Sequence, residues 1–92
     1  MAHQTVAECL TAATDSVSLI NDINTNDANS TYILPDLTQA QVNAVVQKNV
    51  DHLETILEYD GLNETPDVKG SSDDKSSYTN AVTTGKAYIA AN

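Results

Sequence analysis

The chain has 92 residues, with thirteen carboxylates against four lysines, no arginine and a formal net charge of −9. That length fits a single domain over 1–92 with a thin core, because Trp and Phe are absent and the only aromatics are Tyr32, Tyr59, Tyr78 and Tyr88. The charge disfavours direct nucleic-acid binding and attachment to anionic membranes, since both rely on cationic side chains and arginine above all.

The first helix is predicted over about residues 5–24. Thr5-Val6-Ala7-Glu8 fits a capping box, in which the Thr hydroxyl accepts an orphan amide hydrogen and the Glu reaches back. Val6, Leu10, Ala13, Val17 and Ile20 recur at helical spacing and define its expected apolar stripe, widened by Leu19 and Ile23. Asn24-Thr25-Asn26-Asp27 should end it, because those side chains compete for backbone hydrogen bonds.

From Asn24 to Asp36 the chain is a polar connection with one apolar island, Tyr32-Ile33-Leu34, stopped by Pro35. Proline biases Leu34 toward an extended conformation. The segment is expected to lie across the bundle as a lid and to bury Ile33 or Leu34.

A second helix is predicted over about 38–60. It opens with another capping box, Thr38-Gln39-Ala40-Gln41, and Leu37 can staple to Val42. Its arc is Val42, Val45, Val46, Val50, Leu53, Ile56 and Leu57, wide enough to touch both other helices, and Gly61 suits the position past its end. Asn49 falls inside that arc. A buried amide needs a partner, so Asn49 either fixes helix register or bonds to the Tyr32 loop as a structural residue, or meets another subunit.

The third helix is predicted over about 72–91, capped by Ser71, Ser72 or Asp73. Its stripe is Tyr78, Ala81, Val82, Gly85, Tyr88 and Ile89. Gly85 costs roughly 1 kcal/mol against Ala in a helix, which is easier to understand if a neighbouring backbone comes close there. The expected fold is all-α, a small three-helix bundle with an extended segment before the second helix.

No motif carries catalysis. Cys9 is the sole cysteine and should be a small buried hydrophobe. His52 sits at the edge of the second helix's arc without an evident nucleophile. Met1-Ala2-His3 could offer nitrogens to copper or nickel only if the initiator Met is retained. Asp22, Asn24 and Asn26 imitate the start of a calcium loop, but Asp27 replaces the needed Gly and Ile33 the closing Glu. Asn29-Ser30-Thr31 and Asn63-Glu64-Thr65 match the glycosylation pattern, which has no meaning without secretion, and no signal peptide is expected because the first residues carry neither a basic flank nor a sustained apolar run. The expectation is therefore no catalytic residue, no cofactor and no metal ligand.

Lys48-Asn49-Val50-Asp51-His52-Leu53-Glu54 resembles the central helix of short proteins from tailed phages. Thr79-Asn80-Ala81-Val82 and Gly85-Lys86-Ala87-Tyr88-Ile89 resemble the closing helix of the same kind of protein, and the Asn-, Asp- and Thr-rich composition is similar to marine cyanophage products. The resemblance covers under a quarter of the chain. It implies a small virion-associated or host-takeover protein, located in the particle or the host cytoplasm, and brings no active residues with it. The expected activity is protein–protein contact with copies of itself or a larger phage protein, through Tyr32, Ile33 and Leu34 first, then Tyr88 and Ile89. The alternative is an acidic early protein that blocks a host nucleic-acid enzyme by occupying its basic groove.

Overall fold

The computed structural model describes residues 5–58 and 75–92. Within them the chain forms three α-helices, α1 (Val6–Asn26), α2 (Gln39–Glu58) and α3 (Ser76–Ala91), with a 3-10 turn at Asp27–Asn29. Each helix packs against both others, so the expected three-helix bundle is the observed architecture. The predicted caps Ser71, Ser72 and Asp73, the closing Gly61, and residues 59 and 60 of the second predicted helix lie outside the described residues.

Both capping boxes form. At α1 the Thr5 amide donates to Glu8 Oε1 and the Glu8 amide to Thr5 Oγ1, each at 3.1 Å. Ahead of α2 the Thr38 amide donates to Gln41 Oε1 at 2.8 Å, and the Gln41 amide donates to Thr38 Oγ1 at 3.2 Å. Each box satisfies two amides that would otherwise stay unpaired where the helix begins.

The interior is filled by Val42, Val46, Val50, Leu53 and Ile56 of α2, with Ile20 and Ile23 of α1 and Tyr78, Ala81 and Tyr88 of α3. Val82 packs on its edge. Truncating a residue such as Leu53, fully buried here, costs about 2–5 kcal/mol in a typical core.

The stripe of α1 needs correction. The buried line is Cys9, Ala13, Ser16, Ile20 and Ile23, while Val6, Leu10 and Val17 are only partly covered. The inward face is thus turned about one residue away from the purely apolar line. The cause is Ser16, whose hydroxyl donates to Asn49 Oδ1 on α2 at 2.9 Å and so enters the core with its polarity satisfied.

Gly85 does sit at a close approach, but no neighbouring backbone makes it, contrary to the expectation from the sequence. A β-carbon there would stand 2.5 Å from Val50 Cγ2 and 3.3 Å from Val46 Cγ1. Side chains of α2, rather than backbone, fill the notch.

Candidate protein-contact site

The connection between α1 and α2 is held at both ends. On the α1 side, Ser30 is buried; its hydroxyl donates to Asp22 Oδ2 and accepts the Tyr32 amide at 3.1 Å. Asp22 Oδ1 also accepts from Asn26 Nδ2 at 3.0 Å. Of the side chains that imitated a calcium loop, Asp22 is therefore bonded to both Asn26 and Ser30. On the α2 side, Leu37 packs against the core, and the Pro35 before it is followed by Asp36 at φ 64°. Proline followed by a residue of positive φ is the pattern of a type II turn, and Asp tolerates that region better than most residues.

Between these anchors Tyr32, Ile33 and Leu34 alternate. Ile33 packs against the core, while Tyr32 is 52% exposed and Leu34 is 73% exposed. The backbone turns at Thr31 and Tyr32 and bends at Ile33, so that of the three side chains only the middle one reaches the bundle. Of the two residues expected to be buried by the lid, Ile33 is the one. Tyr32 and Leu34 are the exposed large hydrophobic residues among those described.

Tyr88 does not belong to this surface. It was expected as a contact residue because it lies near a chain end, yet it is 6% exposed. Its hydroxyl donates to Asp27 Oδ1 and accepts from Gln39 Nε2 at 2.9 Å. One phenol thus ties α3 to the turn after α1 and to the first residue of α2. Burial pushes its ionisation above the ordinary value; the bond it donates to Asp27 acts in the same sense, and the bond from Gln39 opposes it. Asp27 itself sits at φ 56°, ψ −136°, which is uncommon for a residue with a side chain; its amide donates to Ile23 O. Ile89 is half-buried against the core. Asn49 is part-buried and finds its partners inside the chain, accepting from Ser16 and donating to Val45 O at 2.8 Å. It does not bond to the Tyr32 loop.

Other candidate chemistry is dispersed. Cys9 is buried, and burial first, then the Glu8 charge, push its thiol up, away from the reactive thiolate. His52 is half-buried at the edge of α2. Among the described residues no group of three or more His, Cys, Asp or Glu is placed to hold a metal, and no helix is long and apolar enough to cross a membrane. The glycosylation-like Asn29 is exposed on the 3-10 turn, whereas Ser30 beside it is buried. His3 and Asn63 lie outside the described residues. Among the described residues, shallow, open depressions on the outer faces include one lined by Asp51, Glu54, Thr55 and Glu58 of α2 and one lined by Ala7, Glu8, Thr11, Ala12 and Asp15 of α1.

Comparison with protein-family models, with characterised proteins and with solved structures returns no match.

Proposed function

We propose that this protein works without catalysis, by docking onto another protein, and that it is a small accessory component of a tailed-phage particle. The observation that carries the contact assignment is the exposure of Tyr32 and Leu34 on a connection anchored at both ends. Apolar and aromatic side chains held out in water by a fixed backbone lose little conformational freedom on binding, which is the economy of a preorganised contact. The particle assignment is supported by the resemblance of the Lys48–Glu54 and Thr79–Ile89 strings to phage proteins.

Mass spectrometry of purified particles, together with sedimentation of the protein alone and with a virion extract, tests this. The protein should be present in the particles, and Leu34→Ser should lower its incorporation while leaving the helical circular dichroism unchanged. Absence from the particles, or a monomer that binds nothing in the extract, counts against it.

A second function is favoured by the outer face of α2, where Asp51, Glu54 and Glu58 border one depression. There the protein would act early, filling the basic groove of a host nucleic-acid enzyme. Lys86 already reaches Glu54 at 3.1 Å and neutralises part of that face. An early inhibitor would be missing from particles and would bind its target with a steep salt dependence.

A further inference from the structure

Charge along the chain is segregated. Between Thr5 and Gln47 there are five carboxylates, Glu8, Asp15, Asp22, Asp27 and Asp36, and no lysine, arginine or histidine. Two of the five, Asp27 and Asp36, lie in the connection that presents Tyr32 and Leu34, and a third, Asp22 near the end of α1, is bonded to it. Asp22 holds Ser30, Asp27 opens the 3-10 turn, and exposed Asp36 follows Leu34 by two positions. Asp22 and Asp27 accept bonds from Ser30 and Tyr88, yet an ionised carboxylate has room for further donors.

Resting on the contact assignment above, we infer that the face formed by Tyr32, Leu34 and Asp36 receives a cationic amphipathic protein surface. Its apolar part takes Leu34 and Tyr32, and its lysines or arginines meet the surrounding carboxylates. Two physical points select this occupant. A partner on the apolar pair also meets the chain that carries Asp36, two residues after Leu34, and the Ser30 tie between Asp22 and the Tyr32 amide; a neutral or acidic rim would strip water from these carboxylates without replacing it. A second copy of this chain is disfavoured for the same reason, because it carries a net charge of −9 and would present the same acids. The roles then divide: the apolar anchors set how long the complex lasts, and the carboxylates set its salt dependence and rate of formation.

The test uses the full chain, labelled with nitrogen-15, and synthetic helical peptides as probes. One peptide carries leucines on one face and lysines elsewhere; a second has serines in place of the leucines; a third has glutamates in place of the lysines. The leucine–lysine peptide should shift amides concentrated over residues 30–37. Leu34→Ser should weaken it about tenfold or more, as expected for an interface anchor. Asp36→Asn, which keeps tolerance for positive φ, should flatten the dependence of affinity on salt between about 50 and about 300 mM. The inference is overturned if that peptide does not bind, if the serine–lysine peptide binds equally well, or if the leucine–glutamate peptide does. It is also overturned if the shifts spread over the Asp51–Glu58 face without response to Leu34→Ser, or if the chain forms a dimer through residues 30–37. Failure of the contact assignment itself reads differently: Leu34→Ser would then enter particles undiminished, whatever the peptides do.

Discussion

Gly85 on α3 and Val50 on α2 fit together so closely that a β-carbon on the glycine would lie 2.5 Å from Val50 Cγ2. Val50 is fully buried and branched at Cβ, so it cannot swing aside without disturbing its neighbours. Gly85→Ala gains roughly 1 kcal/mol of helix propensity but overpacks the α2–α3 seam, which typically costs about 1–3 kcal/mol. The expected net is destabilisation. Urea denaturation should show Gly85→Ala less stable than the parent, and less harmful when combined with Val50→Ala, which opens the space. A stabilised single variant would mean that the seam is looser than this geometry.

Ser16 and Asn49 form the polar contact between α1 and α2, and among the described residues no buried side-chain nitrogen or oxygen lacks a partner. Asn49→Ala removes the acceptor and leaves the buried Ser16 hydroxyl with nothing from α2, at a cost of about 1–3 kcal/mol. Ser16→Ala combined with the same Asn49→Ala removes both needs at once, and in the double-mutant cycle the pair should cost clearly less than the sum of the two single variants. Additive losses would show that the two side chains do not interact.

Tyr88→Phe deletes the phenol that joins Asp27, Gln39 and α3, and should cost about 1–2 kcal/mol in thermal or urea denaturation. The pH sign follows from the raised ionisation of Tyr88. The folded state holds the neutral phenol more tightly than the unfolded chain, so this contribution is complete below the ordinary value of 10.0. It is lost as pH rises through the higher folded value. The parent should therefore lose stability in alkali more steeply than Tyr88→Phe, and parallel curves would remove Tyr88 as the cause.

Ser30→Ala cuts the tie between Asp22 and the Tyr32 amide. Hydrogen exchange should speed up at the amides of Tyr32, Ile33 and Leu34 while the α2 core amides change little. Binding through Leu34 should weaken as well, because the loosened segment must be ordered on contact. Unchanged exchange at Tyr32 would show that Ile33 and the Pro35–Asp36 turn suffice to hold the segment.

Leu34→Ser should leave unfolding free energy within about 0.5 kcal/mol of the parent, as for most exposed substitutions, while Ile33→Ser should destabilise the fold. Differential scanning calorimetry of the pair checks the in-and-out alternation across the connection directly. Equal losses in both variants would place Leu34 against the bundle.

Features encoded over a few neighbouring residues could be read before any fold was known. The capping boxes at Thr5 and Thr38 are complete within four residues, and helical spacing alone marks Val42, Val46, Val50 and Leu53 as one face. Gly85 announced a close approach because a glycine inside an apolar stripe is otherwise a loss. The Tyr32–Leu34 segment was visible as an apolar island before Pro35. What depended on packing was which side chains of that island, and of α1, turn inward. Ser16 reaches the core because Asn49, 33 residues away, receives its hydrogen, and Tyr88 turns inward because Asp27, 61 residues away, does the same. Leu34, an isomer of Ile33 and as apolar, is left in water because Ile33 already occupies the side facing the bundle. Hydropathy ranks residues one at a time; burial is decided by whether a distant partner can satisfy a polar atom and by which face the neighbouring helices cover.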